Sequence, residues 1–328
     1  MSILVLTQGE VETLLPVEEC IPVMAEALSA LARGQMHMPL RTVVRAPDAS
    51  GFLGLMPSYT SVAEKAYGLK AVCVFPQNAA LGKDAHQGGV LLFSGETGEL
   101  LAVMNASAIT AIRTAAVSAV ATKLLARQDA GELALLGTGV QARCHLPAMA
   151  AVRTLKRARV ASRRLERARE FVAEFQRRYS FPMEAVESVE AAVRGADLVV
   201  TATTAREPIV KREWLSPGTH LNLVGSSIPT AREADSATMA AASIFVDRRE
   251  STLNEAGDYL FAAREGAIGP ERLRAELGEI LVGAHPGRTS AEEITLFKSL
   301  GLAVEDLASA QYLYRKAQEQ GAGSWVEF

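Results

Sequence analysis

The chain has 328 residues, 49% of them hydrophobic, and a formal net charge of -3. That length exceeds one ordinary core and suits two domains, and the mixed, slightly acidic charge excludes a surface built for nucleic acid or an anionic membrane. Three scattered cysteines, Cys20, Cys73 and Cys144, form neither a disulfide framework nor a zinc site, and the histidines show no metal-ligand spacing.

The opening Met-Ser-Ile-Leu-Val-Leu-Thr-Gln-Gly-Glu lacks the basic start and long apolar run of a signal peptide. No segment reads as the ~20 apolar residues of a spanning helix, so the expectation is a cytoplasmic protein. Residues 9–34 read as two short helices, the second over 18–31 with Gly34 past its end. From 41 to 101, short apolar runs at 41–44, 51–56, 68–75, 89–93 and 100–104 are separated by Pro, Gly, Asp and Asn, which predicts a mostly antiparallel β region. Gly95-Glu-Thr-Gly98 reads as a hairpin turn. The alanine-rich stretch 108–127 predicts a long, closely packed helix.

Strands at 132–136, 159–162, near Val186, and at 198–202, 221–224 and 243–246 then alternate with helices at 141–152, 165–178 and 189–194. That alternation predicts a doubly wound parallel sheet. Residues 295–319 read as helical again. The fold class is therefore α/β. A central Rossmann domain spans 118–297, and an α/β domain is built from both chain ends, 1–117 and 298–328.

Leu133-Ala-Leu-Leu-Gly-Thr-Gly-Val-Gln-Ala142 runs from an apolar strand through G-x-G-x-x-A into a helix. Gly137 allows the tight turn, Gly139 lets the backbone approach a pyrophosphate, and Ala142 sets helix–strand packing. Thr138, Val140 and Gln141 complete the loop, whose N–H groups face the phosphates. The next strand decides the dinucleotide. An NAD site carries an acid about 20 residues on, for the ribose 2′-OH. Here Ser162-Arg163-Arg164 stands instead, and two guanidiniums with a hydroxyl suit a 2′-phosphate. NADP(H) is expected over NAD(H), against the plainer reading of a solvated face in the basic stretch 153–169.

Four stretches carry a family resemblance: Leu100-Leu-Ala-Val-Met-Asn-Ala-Ser-Ala-Ile-Thr-Ala-Ile-Arg-Thr-Ala-Ala-Val-Ser-Ala119, the glycine loop, Pro217-Gly-Thr-His-Leu-Asn-Leu-Val-Gly225 and Phe297-Lys-Ser-Leu-Gly-Leu-Ala-Val-Glu-Asp306. Together they resemble the ornithine cyclodeaminase/mu-crystallin family over nearly the whole chain, and within it the ketimine reductases. The resemblance implies that the end-built domain carries the substrate site and a homodimer interface. It also implies site residues. Arg41 in Pro39-Leu-Arg41 would grip a substrate carboxylate, and Lys70, a lone lysine in an apolar strand, would face the substrate as a proton donor. Arg113, with Thr114, would sit by the cofactor phosphates and the carboxylate. Thr203, Thr204, Val224, Gly225, Ser226 and Ser299 would line the cofactor. Glu305 and Asp306 read as helix braces rather than catalytic groups.

One departure narrows the activity. Cyclodeaminases carry Gly-Gly-Asp-x-Pro after the strand at 221–224, whereas this chain has Gly225-Ser-Ser-Ile-Pro229. Ser227, a substrate-side position, replaces the acid and cannot act as a carboxylate base. The expectation is NADPH-dependent reduction of a small, cyclic 2-imino acid. The alternatives are alanine dehydrogenase-like reductive amination and an NADPH-dependent ligand-binding protein with little turnover; cyclodeamination ranks below both.

Overall fold

Two compact units divide the chain: Met1–Thr114 with Gly301–Phe328, and Ala115–Leu300. The structure is a computed structural model that describes residues 2–48 and 50–328. The first unit contains β1 (Ser2–Leu6), α1 (Gln8–Leu14), α2 (Val17–Ala32), β2 (Met36–His37), β3 (Thr42–Val44), β4 (Phe52–Thr60), β5 (Ala66–Val74), β6 (His86–Ser94) and β7 (Leu100–Asn105). Helix α3 (Ala106–Leu125) begins in it. The second unit continues with β8 (Glu132–Leu136), α4 (Val140–Val152), β9 (Arg157–Ala161), α5 (Leu165–Phe175), β10 (Met183–Ala185), α6 (Val189–Val193), β11 (Leu198–Thr201) and β12 (His220–Leu223). It ends with α7 (Ser236–Ala241), β13 (Ser243–Val246), α8 (Arg249–Glu255), α9 (Gly257–Arg264), β14 (Leu273–Glu276), α10 (Leu277–Leu281) and β15 (Thr295–Lys298). The chain returns to the first unit in α11 (Ala303–Gln320) and β16 (Ser324–Glu327).

In the first unit the strand order is β16-β1-β7-β6-β5-β4-β2, with β3 also on β4. All pairs are antiparallel except β1 with β7. Helices α2 and α11 pack together, and α11 lies on β4, β5 and β6. The period-2 alternation of β5 buries Ala66, Gly68, Lys70 and Val72 on that side and leaves Tyr67 exposed. Helix α1 starts as the chain chemistry dictates: Thr7 and Glu10 form a reciprocal capping box.

Helix α3 is apolar all round, so it is an interior helix. Ala115, Ala116, Ala119 and Ala121 are fully buried. By length and hydropathy it could cross a membrane, which corrects the expectation that no segment reaches that size, but 83% of its apolar window is buried inside the protein. Carbonyls at its end and just beyond it are satisfied by Arg153. Nη2 donates to Thr122 O at 2.8 Å and Ala126 O at 2.9 Å, and Nε to Arg127 O at 3.0 Å.

The second unit is an eight-stranded sheet, β10-β9-β8-β11-β12-β15-β13-β14, with every pair parallel. Its central strands are buried on both faces, and Leu198-Val-Val-Thr201 has no exposed member. Each Leu or Val so buried contributes about 1.5–3 kcal/mol relative to exposure. From β8 the chain winds outward through β9 to β10, then crosses back to β11 beside β8. The loops after β8 and β11 therefore flank the switch point where such sheets bind ligands.

Several features differ from the sequence expectation, among them helices α7 to α10 and strand β14, which were not expected. Residues 295–298 form β15, a strand inside the parallel sheet, and helix resumes only at Ala303. The terminal strands β1 and β16 and the two-residue β2 were not expected. The helix at 165–178 gives way after Phe175 to a 3-10 turn, Gln176–Arg178.

Candidate active site

In the first unit, Lys70 is only 3% exposed. Its Nζ lies 2.7 Å from Asp306 Oδ2 and 3.5 Å from Thr110 Oγ1. Asp306 stands in the first turn of α11, where an added Cβ on Gly68 of β5 would come within 3.0 Å of Leu307. Small Gly68 is what lets α11 seat so close to the lysine. The other Asp306 oxygen accepts from Arg113 Nε at 3.1 Å, and Arg113 Nη1 donates to Glu305 Oε2 at 2.9 Å. Arg113 lies against Gly301, whose φ is +78° and whose added Cβ would meet Arg113 Nη1 at 2.4 Å. Arg41 Nη2 donates to Gly301 O at 3.0 Å. Lys70, Arg113 and Arg41 thus share one cluster, with Gly301 as a hinge of contacts between the two arginines. Thr114 turns its hydroxyl into the helix, donating to Thr110 O at 2.6 Å, so its side chain braces α3.

Burial pulls the Lys70 ammonium down to about 8; the charge of Asp306 opposes this, and the charges of Arg113 and Arg41 add to it. Burial pushes Asp306 up, but the charges and hydrogen bonds of Lys70 and Arg113 outweigh it and hold the carboxyl below its usual range. Three cations, Lys70, Arg41 and Arg113, meet two carboxylates, Glu305 and Asp306.

In the second unit, Gly137 has φ +113°, and a Cβ there would come within 2.3 Å of Ala202 O, so the tight turn requires glycine. Gly139 caps α4 without any side-chain hydrogen bond, and a Cβ there would meet nothing within 4 Å. Open space therefore lies over the uncapped first amides of α4, beginning with Val140 and Gln141. Thr138 is half-buried and Ala142 fully buried against the sheet. This geometry fits a pyrophosphate.

After β9, Ser162 is half-buried, and Arg163 and Arg164 are exposed. Elsewhere in the basic stretch, Arg153 is committed to α3, Arg157 Nε to Glu132 at 2.8 Å, and Arg167 to Glu170 at 2.8 Å. Among the described residues, Arg163 and Arg164 have no carboxylate partner. Two exposed guanidiniums therefore stand side by side just past β9.

The turns after β11 and β12 are held from below. Thr203 Oγ1 donates to Glu233 Oε1 at 2.6 Å. Ser226 Oγ is bonded to Asp258 and receives Lys298 Nζ at 3.1 Å. Those two hydroxyls, expected on the cofactor side, are taken by the protein. Thr204 is exposed, Gly225 and Ser227 are half-buried, and Val224 and Ser299 are buried. Ser299 N donates to Leu223 O at 3.0 Å.

Sequence reasoning missed Asp306 and Glu305 as partners of Lys70 and Arg113, and missed Glu233, Asp258 and Lys298 altogether. One signal was available. Thr295-Leu-Phe-Lys298 places a lysine in an apolar run, as the Lys70 strand does.

The profile of the ornithine cyclodeaminase/mu-crystallin family matches residues 1–321. The ketimine reductase mu-crystallin of Mus musculus is 42% identical over 297 residues, 90% of each chain. The structure of Thermococcus litoralis Delta(1)-pyrroline-2-carboxylate reductase in complex with NADH and L-proline is 40% identical. It superposes with TM-score 0.96 over 99% of this chain and 100% of that one. An archaeal alanine dehydrogenase dimer with bound NAD is 35% identical, with TM-score 0.94 over the whole of both chains. With the buried lysine–arginine cluster in one unit and the glycine turn in the other, this chain belongs to the ornithine cyclodeaminase/mu-crystallin family.

Proposed function

We propose that this oxidoreductase reduces the C=N bond of small, cyclic 2-imino acids to L-amino acids with NADPH. The observation that carries the reading is the Lys70–Asp306–Arg113 cluster with Arg41 beside it. This cluster would receive the substrate carboxylate. Arg41 orients that carboxylate and Arg113 supports it, while Lys70, an ammonium below about pH 8, gives its proton to the imine nitrogen. Gly137 to Ala142 would hold the pyrophosphate of the dinucleotide, and Ser162, Arg163 and Arg164 its 2′-phosphate. When bound, the reduced nicotinamide supplies the hydride for the imine carbon. Ser227 leaves no carboxylate in the turn after β12, which weighs against cyclodeamination.

Two features of the wider reading follow. Strands β4 to β7 turn a second, apolar face outward, with Leu55, Leu69, Leu91 and Val103 half-buried and Tyr67 52% exposed. That face would suit a second copy of this chain, and the alanine dehydrogenase neighbour is a dimer. The cytoplasm, which keeps NADPH reduced, is the compartment the reaction needs.

The test is to follow oxidation of NADPH, and of NADH in parallel, with 1-pyrroline-2-carboxylate and 1-piperideine-2-carboxylate. NADPH-preferring turnover is expected. The bound NADH of the Thermococcus litoralis relative makes the nucleotide arm informative: a clear NADH preference would sink the role given to Arg163 and Arg164. The full-length likeness to alanine dehydrogenase favours a second reading, reductive amination of a 2-keto acid. Turnover with pyruvate that requires ammonia would establish it. Tight NADPH binding without turnover of any imine would favour a ligand-binding role.

A further inference from the structure

Residues 224–235 follow β12 and rest on a sealed polar network. Lys298, at the end of β15, is fully buried. Its Nζ lies 3.1 Å from Asp258 Oδ2, 3.1 Å from Ser226 Oγ and 3.3 Å from Leu223 O. Asp258 also accepts from the backbone N–H groups of Glu233 at 2.7 Å and Ala234 at 3.0 Å. Glu233, likewise fully buried, accepts four donors: Thr201 Oγ1 at 2.6 Å, Thr203 Oγ1 at 2.6 Å, Thr203 N at 2.9 Å and Gly225 N at 2.7 Å. A Cβ on Gly225 would fall 2.2 Å from Thr203 O and 2.5 Å from Glu233 Oε1, so the turn is closed around a glycine.

The network therefore grips the segment at both ends. Glu233 holds Gly225 and the turn after β11, and Asp258 holds residues 233 and 234. Lys298 joins the middle through the Ser226 hydroxyl, and it is the one cation bonded to either carboxylate among the described residues. The outcome shows in the two serines: Ser226 is 1% exposed and points down, while Ser227, next in the chain, is only half-buried.

We propose that Lys298 is a positioning residue for the turn after β12: by fixing Ser226 downward, together with Asp258, it dictates that Ser227 is the side chain the turn presents at the ligand-facing end of the parallel sheet. This rests on the dinucleotide reading of that sheet, and it is independent of which imino acid is reduced. The turn edge so built would set the seat of the reacting end of the cofactor, so errors there change the chemical step rather than carboxylate capture.

The decisive variant is Ser226→Ala, which removes the hydroxyl link and leaves Lys298 and Asp258 paired; Lys298→Met is its stronger partner. Hydrogen exchange of the cofactor-free enzyme is read first. Exchange in peptides covering 224–235 is expected to rise about tenfold in Ser226→Ala, with the strands of the sheet unchanged. Steady-state kinetics is read second: kcat falls about tenfold while KM for the imino acid stays the same. Unchanged exchange at 224–235, a rise spread evenly over the unit, or an effect on KM alone would overturn the proposal. If Lys298→Met does not fold, Ser226→Ala still decides. If the wild-type enzyme turns over no imino acid, the proposed function fails while the exchange experiment still judges the network.

Discussion

Among the described residues the protein contains two buried lysine–aspartate pairs, and they differ in what surrounds them. In the first unit, Lys70 and Asp306 are 2.7 Å apart, with Arg113 bridging Asp306 and Glu305. In the second, Lys298 and Asp258 are 3.1 Å apart in a network with more carboxylates than cations. The surplus carboxylate oxygens of the second network are consumed by backbone N–H groups and threonine hydroxyls of its own turn. In the first, Lys70 and Arg113 divide the two oxygens of Asp306 between them. Under the proposed function, two pairs alike in chemistry and depth serve different ends because of what surrounds them: one belongs to the site, the other to a scaffold.

The sharpest way to break this contrast is to neutralise each lysine with methionine. Lys70→Met is expected to lower kcat about 10²–10⁴-fold, the usual range for a lost general acid, with little change in Tm. Lys298→Met leaves a buried carboxylate uncompensated and is expected to cost about 3–5 kcal/mol of stability, read by denaturant unfolding. If the effects were exchanged, the assignment of site and scaffold would be reversed. Next in size, Arg41→Ala should reduce kcat/KM about 10–100-fold, mostly through KM, as expected for a lost charged hydrogen bond.

Smaller still, Arg163→Ala and Arg164→Ala should each weaken NADPH binding about tenfold and leave NADH binding alone, measured by fluorescence titration. The smallest effect is on pH. Lys70 must be protonated to donate, so kcat/KM should fall on the alkaline side with an apparent pKa near 8. Asp306→Asn removes the charge that holds this value up, and the alkaline limb should move to lower pH. The sign for stability is separate. The folded value lies below the ordinary 10.5, so the fold prefers the amine. That contribution is present above pH 10.5 and is lost as pH falls towards 8.

What could be read from the sequence follows from how local each cause is. The bounds 132–136 and 243–246 coincide with β8 and β13, because strands buried on both faces are short apolar runs stopped by polar or glycine residues. The glycine loop was legible because Gly137 must take a positive φ. Residues 295–298 were misread as helix since four residues cannot show a period, and the true helix begins just after them. Lys70 and Arg41 were picked out by residue type and motif. The Lys70 partner Asp306 was not, since nothing in spacing brings α11 over β5. Ser226 and Ser227 look equivalent in sequence; only Lys298 and Asp258, from distant strand and helix ends, separate them.

The last strand carries a consequence for handling the protein. β16 pairs antiparallel with β1, register Leu4 to Trp325. Gly323, with φ +83°, brings it in so tightly that a Cβ there would press within 2.5 Å of Leu4. Without β16, the Ser2-Ile-Leu-Val-Leu6 strand would end the sheet with bare amides on an apolar ribbon, the form most prone to join its neighbours in solution. Four residues far from the chemistry thus act as a cover strip. Trimming them, or replacing Gly323 with a bulkier residue, should first be noticed as aggregation on storage rather than as lost catalysis.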